Sequence, residues 1–242
     1  MPIPEGKPGA SSKATGVAAF LAFATIVALS LPPVPTAAVQ RGATTGSVSG
    51  VVQLTAPARR LNTTGAYPSR RVALAPQRAA SELQNVVVFV RRPQPEPPSP
   101  AHVEIRQLNE EFVPHVVAVT TGSTVDFPND DLVFHNVFSL SSAATFDLGR
   151  YPQRKSKART FPKSGIVKVF CHLHSHMSAI VRVFDHPYFA QVGEDGRFTI
   201  GGLEPGQHEV VAWHERVGEA KASLLVAAGQ STDAAFTLPL AD

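Results

Sequence analysis

The chain predicts an all-β fold, on three observations. Helical periodicity is nearly absent after residue 40, so no long amphipathic stripe of period 3.6 asks to be buried. Short runs rich in Val, Ile and Phe recur instead, separated by clusters of Gly, Pro, Asn and Asp. Several of these runs alternate apolar and polar residues, the period-two pattern of a strand with one buried face. With 242 residues there is room for one large domain or two small ones.

Residues 1–38 read as an export signal. Lys7 and Lys13 precede an apolar run from 16 to 31, and Pro32, Pro33 and the small residues Thr36, Ala37 and Ala38 follow. As a helix the run would reach about 24 Å, short of a hydrocarbon core of roughly 30 Å. A signal cleaved near Ala38 is therefore favoured over a membrane anchor, and the expected location is the periplasm. Residues 46–54 form a first strand. Residues 56–82, rich in Arg, Ala, Ser and Pro without periodicity, are expected to be a long exposed loop. The next strand, 85–91, is continuously apolar from Val86 to Val90 and so buried on both faces. The Pro-rich stretch 93–100 follows as a stiff linker.

A dense β pattern then runs from 101 to 186. Residues 103–107 alternate, 116–119 form a strand ended by Thr121 and Gly122, and 123–127 alternate again with Val125 and Phe127 facing inward. Pro128, Asn129, Asp130 and Asp131 are turn residues. His135 and Asn136 are a polar pair between the large apolar residues Phe134, Val137 and Phe138. The basic segment 154–159 reads as a solvated loop, and His115 as a strand-surface residue. Beyond Pro187 a second, smaller pattern appears. Asp195-Gly196 signals a hairpin, and 198–200, 209–213, 222–226 and 234–238 are strands. Trp213 reads as a core residue with His214 at its edge.

The chemistry concentrates between Gly165 and Phe184, which hold the only cysteine. Val167, Val169 and Cys171 share one face of a strand, and a second alternating run begins after Met177. A thiolate, an imidazole three residues on and a thioether three beyond that, Cys171, His174 and Met177, thus meet in a tight loop. Two imidazoles, one thiolate and a weak axial thioether are the ligand set of a blue-copper electron-transfer site. The second imidazole must come from elsewhere in the chain. A lone thiol in an oxidising compartment cannot form an internal disulfide, and a bound metal would occupy it. A buried structural thiol and a zinc site are the alternatives, but Met is a poor zinc ligand and structural zinc takes more cysteines.

The net charge of +3 falls to about +2 without residues 1–38, too weak to imply nucleic-acid binding. Enzyme readings find little support. A multicopper oxidase needs His on both sides of its Cys and several separate His-x-His pairs, whereas Phe170 precedes Cys171 here. No hydrolase elbow, phosphate loop or dinucleotide fingerprint is visible.

His135-Asn-Val-Phe-Ser, Phe146-Asp-Leu-Gly and Cys171-x-x-His174-x-x-Met177 together resemble the cupredoxins, amicyanin and the methylamine-utilisation plastocyanin-like proteins above all. The resemblance covers 101–186 and implies a Greek-key β-sandwich binding one type-1 copper ion. It makes His135, Cys171, His174 and Met177 the ligands, with Asn136 hydrogen-bonding between the two ligand loops. It further implies single-electron transfer, with a periplasmic dehydrogenase and a c-type cytochrome as partners. His172 departs from the Asn that many relatives carry there. With His176 it supports the alternative of a copper storage or delivery module; a structural role without electron transfer is a third possibility. Residues 187–242 resemble prealbumin-like carboxypeptidase-regulatory domains, whose first two strands match 46–52 and 86–90. A cupredoxin inserted into a second β-sandwich made of 44–92 and 187–242 is thus expected, with tandem domains as the alternative.

Overall fold

The computed structural model describes residues 45–55 and 82–240; the expected export signal and nearly all of the expected loop at 56–82 lie outside the described residues. Two strands come first, β1 (Gly46–Thr55) and β2 (Val87–Arg91). The next are β3 (His102–Glu104), β4 (Arg106–Leu108), β5 (Glu111–Val113), β6 (Val116–Thr120) and β7 (Thr124–Pro128). They are followed by β8 (His135–Ser141), β9 (Ala144–Tyr151), β10 (Ser156–Thr160), β11 (Gly165–Phe170) and β12 (Ser178–Phe184). The last five are β13 (Phe189–Gln191), β14 (Arg197–Leu203), β15 (Gly206–His214), β16 (Gly218–Val226) and β17 (Ser231–Pro239). The fold is all-β.

The strands form two sandwiches. In the first, a five-stranded sheet of order β6-β12-β11-β8-β9 and a three-stranded sheet of order β10-β7-β3 close over one core. Val137, Val167, Val169 and Val181 enter it from one sheet and Val125 and Phe127 from the other, with Phe161 between them. Val125, Phe127, Val167 and Val169 are positions that the alternation places together on a buried face. The run at 103–107 is not one strand, however. The Ile105 N–H bonds the Asp126 carbonyl, and the chain then leaves β7 to make the separate hairpin β4–β5.

In the second sandwich, β1 lies between β14 and β17, while β2 lies between β13 and β15 with β16 outermost. Strands from before residue 93 therefore complete sheets whose other strands come from after residue 186. Val48, Val52, Ile200, Leu203 and Phe236 meet Val88, Val90 and Val210 in its core. Asp195-Gly196 is a turn, but it passes the chain from one sheet to the other, since β13 and β14 pair with different partners. Gly196 has φ +79°, and a Cβ there would lie 2.6 Å from the Val52 carbonyl oxygen, so the turn requires glycine.

A third apolar cluster joins the sandwiches. Val87, Phe89, Val211 and Trp213 on β2 and β15 pack against Val116, Ile180 and Phe184 on β6 and β12. β2 is buried on both faces because its alternate residues serve two different cores. The Arg182 guanidinium lies 4.5 Å from the ring centres of Phe89 and Trp213. Among the described residues no helix is long and apolar enough to cross a membrane.

Candidate metal centre

β11 and β12 pair from Gly165↔Val183 to Phe170↔Ser178, which leaves Cys171 to Met177 as the loop that closes the hairpin. The Met177 N–H bonds the His174 carbonyl and tightens it. β8 lies beside β11, and the antiparallel pair Phe170↔Phe138 brings the start of β8, at His135, to the same end of the sheet as Cys171. Long-range strand pairing thus places a residue 36 positions upstream against the loop.

The donor atoms converge. Cys171 Sγ lies 3.9 Å from His135 Nδ1 and 3.8 Å from His174 Nδ1, and the two Nδ1 atoms are 3.0 Å apart. Among the described residues this trio is the one group of His, Cys, Asp and Glu donors close enough to share a metal ion. The point equidistant from the three atoms is about 2.1 Å from each, within the range of about 2.0–2.3 Å found for zinc bonds to imidazole and thiolate. The residues therefore fit a bound ion. Met177, at the end of the same loop, is buried in the same apolar cluster as Cys171. His135 is fully buried, whereas His174 is half-buried. Leu132, Phe134 and Leu173, all exposed, flank these ligands in sequence.

Asn136 is buried between the two ligand loops. Its Oδ1 accepts the His172 N–H at 2.7 Å, and its Nδ2 donates to Asp147 at 2.9 Å. His172 lies against the ring of Phe138, and His176 stands 3.6 Å from the carboxylate of the half-exposed Glu110, so neither joins the donor trio. His115 is half-buried rather than on a strand surface: its Nδ1 meets the Ser178 carbonyl and its Nε2 pairs with Glu215. His214 is completely buried, not at an edge, with Nε2 3.3 Å from Glu82. Burial pulls its pKa down, against the pull of that carboxylate.

The sequence reading missed the polar groups that hold His135. Its Nε2 lies 2.8 Å from Asp131 Oδ2. An ionised carboxylate only accepts, so Nε2 carries the proton and Nδ1 presents a lone pair to the donor cluster. Burial alone would raise the Asp131 carboxyl. The Glu110 N–H, the His135 ring and the Asn109 N–H outweigh that effect and hold it below its ordinary value. Asn129, also buried, donates to the Val133 and Tyr151 carbonyls and accepts the Asp131 N–H. The buried Gln107 donates to the Tyr151 hydroxyl, which donates to the Phe127 carbonyl. Burial pushes the Tyr151 phenol far above its ordinary value against that Gln107 bond, and the Cys171 charge adds to the rise. The signal was present in Pro128-Asn-Asp-Asp131, but turn chemistry accounted for all four residues.

No protein-family model matches the sequence, and none of the curated proteins compared with it matches either. Solved structures do resemble it. A Cu-containing nitrite reductase from Thermus scotoductus is 23% identical, with a TM-score of 0.33, over 38% of this chain and 23% of that one. This chain thus spans under a quarter of the reductase. A purple cupredoxin from Nitrosopumilus maritimus is 21% identical, with a TM-score of 0.32, over 34% of this chain and 99% of that one. A Cu(I) amicyanin variant is 18% identical, with a TM-score of 0.33, over 40% of this chain and 98% of that one. Likenesses of this size do not establish a family.

Proposed function

We propose that this protein is an exported, type-1 copper electron carrier rather than an enzyme, with residues 101–186 as a cupredoxin domain. The observation that carries the reading is the donor trio: one thiolate and two imidazole nitrogens turned onto a single point, backed by a buried thioether in the same loop. His135, Cys171, His174 and Met177 would hold a copper ion, which would supply a one-electron Cu(II)/Cu(I) couple.

The chain's own residues do the rest. β8 and the β11–β12 hairpin hold the donors on a rigid sandwich, so little has to move between oxidation states. Burial of His135, Cys171 and Met177 keeps water from that side. His174, half-buried, offers the ring edge through which an electron passes to a docked partner. The Asn136 bond to the His172 N–H keeps the two ligand loops in register. A periplasmic dehydrogenase as donor and a c-type cytochrome as acceptor are the partners proposed, by analogy of function alone. The strand exchange between 44–92 and 187–242 supports reading the copper domain as an insertion in a second sandwich.

The test is one equivalent of Cu(II) added to purified protein, followed by visible absorption and EPR. An intense thiolate-to-copper band with narrow hyperfine splitting is expected. A pale spectrum with wide splitting would mean ordinary histidine-bound copper and would favour the storage and delivery role.

A further inference from the structure

We infer that Asp131 is a positioning residue for the metal centre: it fixes the His135 tautomer and biases the bound ion toward its oxidised state. The inference rests on the copper-carrier reading and deepens it. His135 has two ring nitrogens and no contact with solvent. Nδ1 faces His174 Nδ1 and Cys171 Sγ, and Nε2 faces the Asp131 carboxylate. A neutral carbonyl oxygen in that place would fix the tautomer equally well. The carboxylate adds a negative charge, one ring away from the ion and 12% exposed, where water screens it poorly.

The carboxylate is itself held. Its Oδ1 accepts the Asn109 N–H at 2.6 Å and its Oδ2 the Glu110 N–H at 2.9 Å. Asn109 and Glu110 are the two central residues of the β4–β5 turn, with φ of +56° and +57°. That is the geometry of a type I′ turn, which normally takes glycine at the second position. The Asp131 bonds stabilise a left-handed Glu110 that would otherwise be unfavourable. One carboxylate thus ties a strained hairpin to the most buried imidazole of the site, and it cannot swing away without releasing both.

The sign follows from charge. A fixed negative charge stabilises Cu(II) more than Cu(I), so it favours the oxidised ion and lowers the reduction potential. Replacing the hydrogen-bond partner of a metal-bound His typically weakens metal binding by about 10- to 100-fold. If Asp131→Asn loses Cu(II) affinity tenfold more than Cu(I) affinity, the potential rises by about 59 mV.

The experiment compares wild type and Asp131→Asn by protein-film voltammetry. It also compares their Cu(II) affinities and follows the His135 ring by 1H–15N NMR in the metal-free protein near pH 8, about where free imidazoles are neutral. The expected results are a higher potential in Asp131→Asn, a 10- to 100-fold loss of Cu(II) affinity, and an Nε2–H His135 in the wild type. An unchanged or lower potential in a blue variant overturns the charge bias while leaving the carrier reading intact. An Nδ1–H His135 in the wild type overturns the tautomer role and needs no variant to fold. Should the wild type give no thiolate-to-copper band, the carrier reading fails and the oxidised-state bias falls with it. The tautomer and Cu(II) affinity then decide whether Asp131 positions His135.

Discussion

At the residue scale, Cys171 and Asn136 make separable predictions. Cys171→Ala removes the thiolate but leaves a small buried apolar residue. The visible band should vanish while the far-UV spectrum and cooperative unfolding persist, with a stability change of about 1 kcal/mol. A coloured variant would refute the thiolate assignment. Asn136→Ala is a different kind of loss, because it strips partners from the His172 N–H and from Asp147. A cost of about 1–3 kcal/mol is expected in urea unfolding, with faster copper loss to a chelator because the two ligand loops are no longer tied. The residues differ in legibility for a physical reason. Cys171, His174 and Met177 sit on one loop, so spacing alone suggests their convergence. His135 comes to them by the pairing of β8 with β11, which no local pattern encodes, and only the family resemblance placed it. Asp131 was opaque because a turn explains an Asp without a further role.

At the element scale, alternation made many of the strands readable, since each strand with one buried face writes a period of two into the chain. The basic segment 154–159 was not among them: it reads as a solvated loop, yet most of it lies in β10, paired antiparallel with β7, because its alternate Lys and Arg side chains give no apolar signal. The breaks were harder to see. Ile105 looks like one more inward residue of a continuous strand, yet it is where the chain leaves β7 for the β4–β5 hairpin. Likewise His115 and Glu215, at the edges of two elements, form an ion pair that links the start of β6 to the turn after β15. The Glu215 bond raises the His115 pKa above 6.5, against the effect of burial, and the same bond lowers the Glu215 pKa below 4.5. Because the native His115 binds its proton more tightly than the unfolded chain does, its contribution is complete below pH 6.5 and is lost as pH rises through the raised value. The Glu215 contribution is complete above pH 4.5 and is lost as pH falls through the lowered value. The pair is therefore strongest between those two limits. Glu215→Gln should cost about 1 kcal/mol at pH 5.5 and progressively less at alkaline pH, read as the difference in urea midpoint from wild type. Subtracting the wild type matters, because buried His214 has a lowered pKa and contributes stability that is lost as pH falls. A difference that does not change with pH would rule out the ion pair as the source.

At the scale of the whole molecule, the question is whether the two sandwiches unfold together. Their junction is an apolar core in its own right, with Val87, Phe89, Val211 and Trp213 from one side and Val116, Ile180 and Phe184 from the other. Burial lowers the Arg182 pKa to about 10, so the guanidinium stays charged at neutral pH among the rings of Phe89, Phe184 and Trp213. Separating the sandwiches would expose all of these rings to water, which favours a single cooperative transition. The chain carries its own reporter of the outcome. Trp213 is the sole tryptophan and lies on β15, outside the sandwich that holds the donor trio. Copper at a thousand-fold excess over its dissociation constant should add about 4 kcal/mol to whatever unfolds with the site. In a coupled molecule the transition reported by Trp213 fluorescence should move by that same amount, although no ligand lies on β15. Phe184→Ala tests the route. It should cost about 3–5 kcal/mol and split the transition, so that copper still shifts the loss of visible colour but no longer shifts the tryptophan signal. If the wild-type tryptophan transition ignores copper from the outset, the sandwiches are independent and the junction is only a contact.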